Sequence, residues 1–278
     1  MKDFCELIPG AVWLSNLEPI VEIQNSLQKI QYFRSDDFGR VLVINGEVQH
    51  VEYWSPFYHE TITHLPCSFI ERPRNALIIG GGSLFAAEEL LKYNSITAID
   101  LVDHDMNVIE TTMSVYPERQ FIVEDKRLNI VEKKYEEYLP YCDREYDLIV
   151  NDCFDLFSVS ESTGIDYYNI FENLLSPVGI CSDLIYRNIY DDYVINGAIK
   201  RIPGHLTKAA SMVTVPEYPG AFHILTMWGK NKELSQCHDK ICNLDQFTMS
   251  SNGEFKIYNP NFINFYLYLP PYLKKFIK

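Results

Sequence analysis

The sequence predicts an α/β protein, a doubly wound parallel sheet preceded by a small antiparallel β domain. Three observations carry that expectation. The first sixty residues break into short β segments bounded by Pro, Asn, Asp and Gly, and from about Pro73 apolar runs alternate with helical patterns. The first of those runs ends in three glycines before a helical stretch. With 278 residues, 47% of them hydrophobic, the chain can bury a full core, and the expected division is residues 1–60 and 61–278.

In chain order, the β segments are Val12-Trp13-Leu14, Ile20-Val21-Glu22-Ile23, residues 28–33 and residues 40–44. The Asn45-Gly46 pair marks a hairpin turn into residues 47–51. The later strands are expected at residues 76–79, 96–102, 129–131, 146–150, 179–185 and 221–228, with a helix over residues 83–93. Such alternation specifies a parallel sheet whose ligand sits beyond the carboxyl ends of its strands.

Composition excludes several classes. A formal net charge of −14 argues against a nucleic-acid partner, which needs a basic stripe to neutralise phosphates. It favours cationic small molecules, which a negative field draws in. No stretch reaches the ~20 apolar residues of a membrane helix. The start, Met1-Lys2-Asp3-Phe4-Cys5-Glu6, lacks the pattern of a signal peptide, so the expected location is the cytoplasm, with no membrane partner. Seven cysteines without C-x-x-C spacing fit free thiols. Cys237, His238 and Cys242 lack a second ligand pair, so no metal is assigned.

Three constellations carry chemistry. The run Leu77-Ile78-Ile79-Gly80-Gly81-Gly82-Ser83 is a strand entering a glycine turn where backbone can approach a ligand closely. A dinucleotide fingerprint needs a further glycine where Phe85 stands, so a nicotinamide cofactor is disfavoured. Asp103 follows Gly82 by 21 residues, the separation at which a carboxylate accepts ribose hydroxyls; Asp100 and Asp105 compete for that role. Asp152 and Asp155 fall just past the fourth parallel strand, where two carboxylates in one mouth hold a cationic amine and take its proton, or where either caps a helix.

The chain resembles spermidine synthases and related aminopropyltransferases over nearly its whole length. Residues 38–49 resemble the family's F-G-x-x-L-x-L-D-G-x-x-Q, Tyr58-His59-Glu60 its Y-H-E, and Gly80-Gly81-Gly82 the start of its G-G-G-D-G. Asp152-Cys153-Phe154-Asp155 is similar to D-S-x-D, Pro216-Glu217-Tyr218-Pro219 to P-T-Y-P, and Tyr258-Asn259 with Leu269-Pro270 to the closing Y-N…L-P. The resemblance implies a Rossmann-like, methyltransferase-type fold, a homodimer or homotetramer, and transfer of an aminopropyl group from decarboxylated S-adenosylmethionine to a small-molecule amine. It further implies that Gln49, His59, the glycine turn, Ser83 and Asp103 contact the donor. Asp152 becomes the general base, and Tyr58, Asp155, Glu217 and Tyr218 grip the acceptor.

Two positions depart from the family pattern. Ser83 stands where the family has an aspartate that pairs with the donor's ammonium. A serine there suits the carboxylate of intact S-adenosylmethionine, and hence 3-amino-3-carboxypropyl transfer, or simply caps the helix. The adenine-contacting acid aligns with Glu132 or Lys133. The resemblance extends to tailoring transferases of the microcin C type, which act on a modified peptide. Methyl transfer, or nucleoside binding without turnover, are the remaining alternatives.

Overall fold

The computed structural model describes residues 2–5, 13–185, 191–217, 222–236 and 254–277. Tyr218, Val12, Cys237, His238 and Cys242, all singled out above, lie outside these residues.

An antiparallel sheet comes first, with strands β1 (Lys2–Cys5), β2 (Trp13–Gln24), β3 (Lys29–Ser35), β4 (Gly39–Ile44) and β5 (Glu47–Val51) in sequential order. Asn45 and Gly46 both take positive φ, 53° and 87°, in the turn between β4 and β5. The two segments expected at residues 12–14 and 20–23 are one strand. Pro19, which cannot donate to a ladder, sits where the β2–β3 register shifts, so the strand bends and continues.

Both faces of this sheet are covered. Leu14, Leu17, Phe33, Val41 and Val48 pack on one side, while Ile30, Tyr32 and Leu42 meet Phe85, Val108, Val115 and Tyr116 on the other. The Tyr32 hydroxyl and Thr112 Oγ1 lie 2.8 Å apart across that seam. The second layer thus fixes the sheet against the rest of the chain.

Helix α1 (Ser55–Cys67) leads into the second sheet. In chain order follow β6 (Asn75–Gly80), α2 (Phe85–Leu91), β7 (Ala98–Asp103), α3 (Met106–Val115), α4 (Gln120–Glu124), β8 (Leu128–Glu132) and α5 (Tyr135–Tyr138). Next come β9 (Tyr146–Asp152), α6 (Leu156–Thr163), α7 (Tyr167–Leu174), β10 (Leu175–Ile185), α8 (Asp192–Arg201), β11 (Thr207–Thr214) and β12 (Phe222–Gly229). Short helices α9 (Ile263–Tyr266) and α10 (Pro271–Ile277) end the described chain.

The strand order is β11-β12-β10-β9-β6-β7-β8. Strands β10, β9, β6, β7 and β8 are mutually parallel, whereas β12 runs antiparallel to β10 and β11 antiparallel to β12. The fold is therefore Rossmann-like α/β with an antiparallel edge. Sequence reading overlooked β11, because Thr207-Lys208-Ala209-Ala210-Ser211 offers small and polar side chains instead of an apolar run.

Alternation along β6 explains why the parallel strands read as continuous apolar runs. Ile78 faces Ile62, Leu65 and Leu90, while Leu77 and Ile79 face Phe171, Tyr167 and Trp228. Helices bury both faces, leaving the carboxyl rim as the open edge. No helix among the described residues is long and apolar enough to cross a membrane.

Candidate active site

A cleft of about 350 Å³ opens at that rim, between the two sheets. The glycine turn forms its floor. Gly80 and Gly81 take φ of +80° and +82°, and a Cβ at Gly80 would come within 2.8 Å of the Asp152 carbonyl oxygen and of Cys153 Cβ. Side chains at this turn would fill the space that the backbone leaves to a ligand. Leu84, in the left-handed region at φ 66°, delays the start of α2 to Phe85. Ser83 therefore lines the cleft without capping the helix, and its hydroxyl makes no hydrogen bond among the described residues.

Asp103 ends β7 beside this turn. Its Oδ2 accepts from Gly82 N at 3.1 Å and its Oδ1 from Asp105 N at 3.0 Å. Burial raises its pKa against the pull of these amides. The two competing aspartates are engaged elsewhere. Asp100 is buried under Arg144 Nη1 (2.6 Å) and the Tyr146 hydroxyl (2.7 Å), and Asp105 caps α3 through Asn107 N while accepting from Asn25 and Gln28. Asp103 alone of the three lines the cleft.

Asp152 ends β9, directly across from Gly80 in the β6–β9 ladder. The Tyr58 hydroxyl donates to its Oδ1 at 2.8 Å, and His59 Nε2 lies 3.9 Å from its Oδ2. Only 10% of the Asp152 side chain is exposed. Burial pushes its carboxyl up to about 7; the Tyr58 hydrogen bond opposes this and the Asp103 charge adds to it. His59, with Nδ1 2.8 Å from Ser55 Oγ, is driven down to about 4 by burial, so the His59–Asp152 contact joins a carboxylate to a neutral ring. The outcome is a buried carboxyl with proton affinity near neutrality, Tyr58 bonded to one oxygen and His59 beside the other.

The remaining walls come from distant stretches. Gln49 and Glu47 project from β5, Tyr58 and His59 from α1, and Glu217 from the segment after β11. Glu217 is 5% exposed. A side pocket of about 210 Å³ adjoins the floor at Gly80, Asp103 and Cys153, and is completed by Val102, Lys133 and Tyr135, whose ring stacks on Phe154 at 4.2 Å.

Gln49, Tyr58, His59, Gly80, Gly81, Gly82, Ser83, Asp103, Asp152 and Glu217 thus share one cleft. Two expected members stand outside its lining. Asp155 is the N-cap of α6, its Oδ1 accepting from Ser158 N at 2.6 Å, while its Oδ2 is buried without a partner among the described residues. The two carboxylates are split because the chain turns into a helix directly after β9. Glu132 is exposed at the end of β8; strand alternation aims Val131 into the core and turns Glu132 away, leaving Lys133 to reach the side pocket. Sequence reading missed Gln28, Leu42, Ile44, His104 and Val108. Apolar residues that line a cleft carry no signal distinguishing them from core.

Fold and cleft together define a ligand-binding site at the carboxyl rim of a Rossmann-like scaffold. The chain belongs to the spermine/spermidine synthase family: residues 55–238 match the model of the spermine/spermidine synthase domain, and residues 23–52 that of the spermidine synthase tetramerisation domain. It is 28% identical to the polyamine aminopropyltransferase of Lachnoclostridium phytofermentans over 270 residues, covering 94% of this chain and 92% of that one. Against that of Archaeoglobus fulgidus, identity is 29% over 253 residues, 90% and 88% of the two chains. Among solved structures it resembles spermidine synthase from Thermotoga maritima, with a TM-score of 0.83 at 24% identity over 100% of this chain and 94% of that chain. It also resembles a spermidine synthase in complex with the transition-state analogue AdoDATO, with a TM-score of 0.82 at 23% identity over 99% and 94%.

Proposed function

We propose that the chain transfers a 3-aminopropyl group from decarboxylated S-adenosylmethionine to an amine and releases methylthioadenosine. The observation that carries this reading is Asp152, a buried carboxylate with proton affinity tuned near 7 beside the glycine turn and Asp103. Glu47, Asp103, Asp152 and Glu217 line the cleft, and no Lys or Arg does so among the described residues. An intact donor would bring a carboxylate into a wall of acids with no cation to meet it. Ser83, a neutral hydroxyl, does not supply that cation. The decarboxylated donor carries only positive groups and meets this surface favourably.

The chemistry asks little beyond alignment and proton removal. Asp152 takes one proton from the bound ammonium, freeing the nitrogen lone pair. That lone pair forms the new C–N bond as the C–S bond breaks, and the sulfur leaves as a neutral thioether that needs no acid. Tyr58 orients the carboxylate, and burial of Asp152 gives it the proton affinity that a surface aspartate lacks. Gln49, His59, the glycine turn and Asp103 hold the nucleoside in this reading, with the side pocket at Lys133 and Tyr135 beside the base.

The relatives' names and the AdoDATO-bound neighbour support the same reading. The match of residues 23–52 supports a homo-oligomer, and we place the boundary between the two parts of the chain near residue 60. Purified protein incubated with each donor and a panel of amines tests the assignment by mass spectrometry of the nucleoside product. Methylthioadenosine from the decarboxylated donor is expected. S-adenosylhomocysteine would mean methyl transfer and end the proposal.

A further inference from the structure

We infer that Asp183, which stands outside the described cleft lining, is a positioning residue for Asp152: it holds Asn151, and Asn151 closes the turn from which Asp152 reaches the cleft. The inference rests on the aminopropyl-transfer reading and adds to it a residue that acts through another.

Strand alternation sets the two aspartates on opposite faces. Along β9, Leu148 and Val150 pack with Ile62 and Leu65 of α1, whereas Ile149 packs with Tyr167 and Phe171 of α7. Asp152 follows the first series toward Tyr58, and Asn151 the second. Asp183 is the β10 residue paired with Asn151 in the ladder, and its near neighbour Cys181 belongs to the α7-side cluster. Both Asn151 and Asp183 are buried. Two polar side chains set side by side in an otherwise apolar layer are costly unless they bond, and these do.

Asn151 Nδ2 donates to Asp183 Oδ1 at 2.8 Å and to the Phe154 carbonyl oxygen at 2.7 Å, while its Oδ1 accepts from Phe154 N at 3.4 Å. One side chain thus grips both backbone groups of Phe154 and closes a turn that contains Asp152 and Cys153. Asp183 locks that grip, because both N–H bonds of the amide are then spent. Burial raises the Asp183 pKa well above the ordinary carboxylate range, and the Asp155 charge adds to this against the Asn151 bond. A neutral carboxyl and a carboxamide share shape and acceptor, so asparagine at 183 can hold Asn151 equally well.

The test measures kcat with decarboxylated S-adenosylmethionine and 1,4-diaminobutane, and methylthioadenosine affinity by calorimetry. Asp183→Ala should lower kcat about tenfold or more with nucleoside affinity within about twofold, and Asp183→Asn should keep kcat within about twofold of wild type. Asn151→Ala reaches the same clamp from its other side, which keeps the test open if Asp183→Ala folds poorly. The double alanine variant should be no slower than the slower single one, as for two residues acting as a unit. An unchanged kcat in Asp183→Ala, an equal loss of kcat and nucleoside affinity, or losses that multiply in the double variant would each overturn the inference. If wild type turns over no amine, the transferase reading falls and hydrogen exchange decides the clamp: a peptide spanning residues 151–158 should exchange about tenfold faster in Asp183→Ala but not in Asp183→Asn. Equal exchange in all three proteins would refute it.

Discussion

The two ends of the cleft are built from different material. At the end proposed for the nucleoside, the cleft surface is mostly backbone: the Gly80-Gly81-Gly82 turn and an aspartate fixed by two amides, all within two consecutive β–loop–helix units. At the end proposed for the amine it is side chains, with Tyr58 from α1, Asp152 from β9 and Glu217 from beyond β11. Backbone surfaces are set by local conformation and tolerate little. Side-chain surfaces are tuned by burial and can be retargeted one residue at a time.

Variants can break this contrast. The largest effect belongs to Asp152→Asn, which should lower kcat by about 100-fold or more while methylthioadenosine affinity, by calorimetry, stays within about twofold. A loss shared equally between turnover and nucleoside binding would erase the distinction between the ends. Gly80→Ala should do the reverse, because its φ of +80° and the 2.8 Å approach to the Asp152 carbonyl oxygen leave no room for a Cβ. We expect about 1–3 kcal/mol of lost stability in denaturant melts and weaker nucleoside binding.

Smaller changes sharpen the amine end. The acid limb of kcat/KM for wild type should fall near pH 7, where Asp152 protonates. Tyr58→Phe removes the hydrogen bond that holds that value down, so its limb should move to higher pH, with about a tenfold loss at neutrality. A limb that stays fixed would free Tyr58 of that role.

The smallest effect is on stability. Asp152's folded pKa lies above the unfolded value of about 4, so the folded form binds more protons between the two. Its contribution to stability is fully present below about pH 4 and is lost as pH rises through about 7. Unliganded Asp152→Asn should therefore melt a few degrees (roughly) above wild type at pH 8, with the gap closing toward pH 4, in differential scanning calorimetry.

The same contrast explains what could be read without coordinates. The parallel strands and glycine turn announce themselves because burial on both faces and tight backbone approach each demand particular residues locally. Spacing left three aspartates in competition, and the Arg144 and Asn107 partners of Asp100 and Asp105 leave Asp103 as the one that lines the cleft. Asp155 shows where spacing leaves two readings open. A carboxylate three residues past a strand tip serves a substrate and a helix amide equally well in sequence, and its Ser158 bond shows which amide it serves here. Strand β11 and the wall residues Leu42 and Val108 were illegible, since small edge residues and apolar lining look like loop and core.

Glu60 follows Tyr58 and His59 directly, and its carboxylate accepts the backbone amides of Lys256, Ile257 and Tyr258 at 2.7–2.8 Å. The helix that carries these two cleft residues is thereby lashed to a stretch of chain almost two hundred positions away. Trimming the tail before residue 256 would leave the buried Glu60 carboxyl without these partners and loosen the helix turn that holds Tyr58 against Asp152. A lesion that looks peripheral on a linear map would register first as lost turnover.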